Sequence, residues 1–340
     1  MVQLKQEEII DIREEKGNTF KNMIYWLGRN IKFLLIPGSR LEELSLREFE
    51  YEKTISKRKF IRRLKSVLTI LGIVIVFSVV TLAIFGTWIA PYTFDEANGV
   101  LLNPWAMPSP EHPLGTTKFG RDILSRIIYG ARSSITIALP AITFSVVGGV
   151  ILGVISGYYR GWVDTVIMRI TDVFLAFPGI VLALVFIAIF TGPGGVTMQP
   201  IMLAYGILGV PYYARLIRGS VLQARQLPYI EAAKVAGSGN WRIMFKHVLP
   251  NTIQPIIISF TFDIGGIILS LAGLAFLGFS DWRMIEWGND INIGRERLWD
   301  VFNFPHAAFW PGMMILITVL GFMLVGDGLR DALDPRLKNL

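Results

Sequence analysis

Six long apolar stretches constrain this chain more than any other feature of it. They cover residues 67–90, 135–158, 166–190, 200–217, 255–279 and 309–329. Wound as helices, such runs are about as long as the hydrocarbon core of a bilayer is thick, which takes roughly 20 residues. Pro91 stops the first, and the turn Thr191-Gly-Pro-Gly-Gly195 ends the third. Lipid offers backbone groups no hydrogen-bond partners, so a spanning chain is helical or a closed barrel. Barrels need short alternating strands, which are not seen here. The expected fold is an all-α membrane protein with six transmembrane helices. Composition agrees, with 52% of the residues hydrophobic and 17% charged. The chain has no cysteine, which excludes a disulfide framework, a thiolate metal site and a cysteine nucleophile. Residues 1–19 are mostly polar, with no apolar segment and cleavage site after them, so no signal peptide is expected.

Lys and Arg set the expected orientation, because cytoplasmic loops hold the excess. With the N-terminus inside, segments 1–66, 158–169, 215–254 and 329–340 carry 15, 2, 6 and 3 of them. The outer loops 91–132 and 280–308 carry 4 and 3, against 9 acids. Both termini are therefore expected in the cytoplasm. The net charge of +7 fits cytoplasmic loops and lipid headgroups, with no nucleic acid as partner. The expected organisation is a cytoplasmic extension over 1–66, an outer loop over 91–132, a helical core over 133–329 and a tail over 330–340. Within the extension, Phe20, Met23, Ile24, Leu27, Ile31, Leu34 and Leu35 share one helical face. That basic amphipathic segment, 20–35, is expected to lie in the headgroup plane, the alternative being a docking helix for a partner subunit. The run Lys57, Arg58, Lys59, Arg62, Arg63, Lys65 anchors the first span from inside.

The loop over 215–254 has six basic residues and one acid, Glu231. Its pattern predicts a short helix over 231–236, a left-handed stop at Gly237, and a second helix over 241–248. Asn240 would cap that second helix and Pro250 would end it. A bent element of this kind, lying across the end of a bundle, suits a mechanical joint, because a neighbour moving against it would drag the fourth and fifth spans. By composition alone a solvated connecting loop is the favoured reading.

Glu231-Ala232-Ala233, Gly237 and Leu249-Pro250 resemble the EAA loop of binding-protein-dependent ABC importers, at that motif's spacing. His247 stands where the general motif has an aliphatic residue, and His-Val-Leu-Pro-Asn is similar to the peptide/nickel branch of that family. Other segments resemble the same branch. They are His112–Arg126, with Thr117 where Asp is usual; Gly157-Tyr-Tyr-Arg-Gly-Trp-Val-Asp164; Ala176-Phe-Pro178; and Gly326-Asp-Gly-Leu-Arg-Asp-Ala-Leu-Asp-Pro-Arg336. In the fifth span Leu271 stands where the family often has Glu. The resemblance covers about residues 60–340 and is nearest the second permease of the oligopeptide/dipeptide/nickel pair. It implies a type I importer bundle whose loop is a coupling helix, with Glu231, Ala232, Ala233, Gly237, Asn240, Trp241, Leu249 and Pro250 meeting an ATPase subunit. Trp241 is the expected apolar anchor. The implied partners are a second permease, two ATP-binding subunits that hold ATP and Mg, and an extracytoplasmic solute-binding protein. The implied cargo is peptides, with oligosaccharides or nickel complexes behind.

The spans also hold polar and small residues. Asp263 is costly at its depth, and reads either as a pathway residue or as a packing carboxylate paired with the partner permease. Arg169 and Asp172, three apart, suit a local ion pair. Gly149, Gly153 and Gly157 make a small-residue stripe for close helix packing. His112 and His306 lie outside with neither a third His there nor any Cys, so no metal site is expected. The sequence holds no GxxxxGK[ST], HExxH, GxSxG or GxGxxG, so no catalytic residue and no bound cofactor are expected in this chain. Two rival classes remain. A secondary transporter or channel would show inverted repeats and several ionisable groups in its spans. A membrane enzyme would show a clustered acid, base or metal set. Neither pattern is seen.

Overall fold

The computed structural model describes residues 64, 66–99, 103–193, 195–281, 284–297 and 306–333. The amphipathic segment 20–35, the basic residues between 57 and 65, and the end of the C-terminal motif lie outside the described residues.

Among the described residues, five helices are long and apolar enough to cross a membrane: α1 (Val67–Ile89), α3 (Ile123–Tyr159), α6 (Met198–Ala224), α10 (Gln254–Phe276) and α12 (His306–Leu333). The expected third span is broken. It runs as α4 (Gly161–Ala176) and α5 (Gly179–Phe190), bent by 99°. The cause is local. Pro178 disfavours helical geometry in the residue before it, and Phe177 is extended at φ −92°, ψ 146°. Short helices fill the connections: α2 (Phe94–Asn98), α7 (Pro228–Val235), α8 (Asn240–Arg242), α9 (Leu249–Thr252) and α11 (Trp287–Gly294).

Small residues bring the long helices together. The most extensive pairing is α3 with α6. A Cβ added at Gly149 would strike Tyr213, one at Gly153 would come 2.6 Å from the carbonyl oxygen of Ala214, and one at Gly157 2.8 Å from Val221. The contact positions rise together along both helices, so α3 and α6 are parallel. The chain between them must recross, and only α4 with α5 can do it. The bent pair is thus a single crossing, which brings the total to six. On α12, Gly321 meets Ile75 and Gly328 meets Thr69, so α12 runs antiparallel to α1; Gly265 of α10 meets Phe322, and Gly326 of α12 meets Phe262. The start of α1, the loop 225–253 and the end of α12 therefore share one face, where Gln254 donates to the carbonyl of Leu333 at 2.6 Å.

On the opposite face α3 begins 12 residues before the expected apolar run, inside the expected outer loop 91–132. Its first turns carry polar groups, which hydropathy reads as loop, but they are buried against the chain instead of facing lipid. Arg126 Nε donates to Asp290 Oδ1 of α11 at 2.6 Å, both side chains being 1% exposed. Trp287 is fully buried in a notch left by Gly130, where an added Cβ would lie 2.5 Å away. Its indole donates to the carbonyl of Ile127 at 3.0 Å. Gly288 lies directly on the backbone of Ala272 in α10, and Gly294 on Ala307 and Ala308 in α12. The helix α11 is therefore a bolted cap across three of the crossings.

Candidate functional site

The loop between α6 and α10 is built as two helical arms. Pro228, whose ring fixes φ, opens α7 at its first turn. The N–H of Gly237 bonds the carbonyl of Lys234 at 2.9 Å, and that of Ser238 bonds Ala233 at 3.0 Å. This closing pattern requires a left-handed residue, and Gly237 supplies it at φ +77°. The second arm starts at Gly239, which adopts the extended N-cap geometry with no side-chain cap. Asn240 is thus the first helical residue and not the cap. Its Oδ1 is engaged elsewhere, accepting from the Tyr158 hydroxyl at 2.9 Å. Nor does Pro250 end the arm. After α8 the chain makes a π-helical turn over Ile243–Val248 and continues as α9 through Pro250 to Thr252. The N–H of Leu249 reaches back five residues to Met244. That wider turn comes just where an α-helix would press the proline ring against the carbonyl four residues back.

The two arms have two faces. Ile230, Ile243, Met244 and Val248 are fully buried in the main core, with Ala233 and Leu249 packed beside them. Glu231, Ala232, Asn240 and Pro250 are exposed. Val235 is 91% exposed, and Trp241, 63% exposed, stacks on Phe245 with ring centroids 5.4 Å apart. The loop is therefore seated on the bundle by aliphatic residues and presents an acid and an apolar aromatic pair outward.

Ion pairs tie the neighbouring helix ends. Arg218 holds Asp164 with two hydrogen bonds, of 2.5 and 2.7 Å, and Asp164 also accepts from Ser156. Arg215 pairs with Asp172 at 2.6 Å, so the local pair expected between Arg169 and Asp172 does not form. Within the bundle, Asp263 of α10 accepts from the hydroxyl of Tyr213 in α6 at 2.6 Å. This partner belongs to its own chain. Leu271 is fully buried. On the opposite face His112 pairs with Asp122 at 3.1 Å, and His306 Nε2 lies 3.3 Å from the carbonyl of Thr116. Reasoning from sequence missed Tyr158, Trp287 and the Arg126–Asp290 pair. The two members of that pair are 164 positions apart, and nothing local marks them as partners.

The described residues form a six-crossing helical membrane bundle with a two-faced loop on one end. Residues 149–339 match the family described as binding-protein-dependent transport system inner membrane component, and this chain belongs to that family. It is 40% identical to a dipeptide transport system permease protein of Alkalihalophilus pseudofirmus, over 86% of this chain and 94% of that one. It is 44% identical to a glutathione transport system permease protein of Pectobacterium atrosepticum, over 68% and 75%. Against a glutathione transport system permease protein of Escherichia coli O157:H7 the figures are 40%, 76% and 84%. A crystal structure of an amino acid ABC transporter with histidines aligns with a TM-score of 0.46 at 17% identity, covering 59% of this chain and 91% of that one.

Proposed function

We propose that this permease imports small peptides, glutathione-like peptides included, as one of two related membrane subunits driven by separate ATP-binding subunits. The two-faced loop carries the reading. An element seated in the bundle by Ile230, Ile243, Met244 and Val248, with Trp241 and Phe245 left exposed, suits docking on another protein. One such loop serves one ATPase, and two ATPases call for a second permease of the same fold. ATP and Mg belong to those partners. An extracytoplasmic binding protein delivers the solute, as the family description implies for its members generally. The Lys and Arg bias puts the loop face in the cytoplasm. The relatives' names supply the cargo class. Asp263, tied to Tyr213 yet only partly buried, is our candidate for a polar group on the translocation pathway.

The test is paired uptake and ATPase assays on the reconstituted complex. Glu231→Lys reverses an exposed charge on the docking face. Gly237→Asp puts a side chain where φ is +77° and so tilts the second arm. Uptake by each is expected to fall by more than about tenfold, with the chain still assembled and ATP hydrolysis retained. Normal solute-driven uptake by both variants would reduce the loop to a linker.

A further inference from the structure

The apolar seat of the loop is non-directional and would let the loop rock. Among the described residues one directional bond crosses from the second arm to the bundle, that of Tyr158 to Asn240. Tyr158 is buried at the last turn of α3, 82 positions before its partner. It is held from the other side as well. Arg225, which caps the end of α6, donates to the carbonyl of Tyr158 at 2.7 Å, and its guanidinium lies 5.9 Å from the ring centroid. Asn240 has given up the capping role its position suggests, and Gly239 fills it instead. Covalently the loop pulls only on α6 and α10. The Tyr158 hydroxyl adds α3, a helix of 37 residues that runs about 55 Å at 1.5 Å per residue. At its far end α3 is bolted to α11 through Arg126 and Asp290.

We propose that Tyr158 is a positioning residue for coupling: its hydroxyl locks the second arm of the loop to α3, so that movement of the loop reaches the opposite face of the bundle. This rests on the reading of the loop as the ATPase-docking element. Removing the hydroxyl leaves the loop seated and docked, but α3 is no longer driven with it. ATP is then hydrolysed without solute movement in proportion.

Tyr158→Phe isolates the hydroxyl, because the bond from Arg225 goes to the backbone and survives. Asn240 is exposed, so water can take the vacated oxygen. The experiment uses the whole complex in proteoliposomes, with permease companion, ATP-binding subunits and binding protein. It measures solute imported per ATP hydrolysed, using whichever of a tritiated alanine dipeptide and tritiated glutathione the wild type takes up. Loss of one such hydrogen bond is expected to lower that ratio by about three- to tenfold. In an Asn240→Ala background the same change is expected to have no further effect, since the bond is already gone. An unchanged ratio in Tyr158→Phe, or an equal drop in both backgrounds, would overturn the proposal. So would failure of Tyr158→Phe to assemble, because the hydroxyl would then be holding the fold. Glu231→Lys, run alongside, separates the two readings. If it transports normally the loop is not the coupling element. If it fails while Tyr158→Phe keeps the wild-type ratio, only the role of Tyr158 falls.

Discussion

Glu286 is buried at the start of α11, where Oε2 accepts from the N–H of Asn289 at 3.1 Å and Oε1 has no hydrogen-bond partner. Burial is the main cause that pushes its carboxyl up to about 7; the backbone bonds and Arg126 only partly oppose it, and Asp290 adds to it. The consequence for stability has a definite sign. Below the unfolded value near 4.5 the group is neutral in both states. Above about 7 the folded protein must hold a buried anion. The contribution of this group to stability is therefore most favourable at low pH and falls as pH rises between those values, by an amount on the order of 3 kcal/mol. Glu286→Gln keeps the shape without the charge. It is expected to flatten that decline, raising the melting temperature of the detergent-solubilised protein at pH 8 and leaving it little changed at pH 4.5. An identical pH slope in the two proteins would count against this assignment. Arg126 gives the complementary case. Arg126→Leu strands Asp290 in a fully buried site, which is expected to cost about 3–5 kcal/mol and to sharply lower the folded yield. Neither residue could be singled out from sequence. There, both are charges in an outer loop, and only the partner 164 positions away makes one of them structural.

The long helices depend on where glycine is and what it faces. Gly149 and Gly219 lie on the paired helices α3 and α6, but only Gly149 belongs to a stripe of small residues. A Cβ at Gly149 would collide with Tyr213, whereas at Gly219 it would meet nothing within 4 Å. Gly149→Ala is therefore expected to destabilise by roughly 1–3 kcal/mol through overpacking. Gly219→Ala should stabilise α6 by about 1 kcal/mol, as alanine does within a helix. Thermal melts of the two purified variants would check the difference, and equal shifts would mean the pairing is not as tight as described. The spacing of Gly149, Gly153 and Gly157 was enough to identify a packing stripe, because helical periodicity is local. Its partner was not legible, since nothing in the stripe specifies α6. The break between α4 and α5 shows a different failure. Phe177-Pro178 was visible, yet the largely apolar stretch on both sides of it favours one straight span. Hydropathy counts residues entering lipid and is blind to the direction in which they cross. At Gly237 the local rule worked because a left-handed stop needs only its own backbone and the carbonyls a turn away.

Sidedness is a property of the whole molecule. Helix directions fix which segments share a face, and the distribution of Lys and Arg chooses which face is inside. Contacts such as Gly328 with Thr69 and Gly321 with Ile75 put the loop 225–253 on the same side as the start of α1 and the end of α12. Independently, the sequence segments expected in the cytoplasm carry 26 of the 33 Lys and Arg residues. Together they give a prediction about sidedness. Because the chain has no cysteine, single cysteines report position without background. Val235→Cys places a thiol at a site 91% exposed on the loop, and Met107→Cys one at a site 48% exposed on the opposite face. With an impermeant maleimide on intact cells, Met107→Cys is expected to label and Val235→Cys to stay unlabelled until the membrane is opened. Once it is opened, Val235→Cys should still react less when the ATP-binding subunits are co-expressed, because its site lies on the face proposed to dock them. Labelling of Val235→Cys from outside would invert the molecule. It would also remove the ATPase from reach of the loop, since ATP is a cytoplasmic fuel.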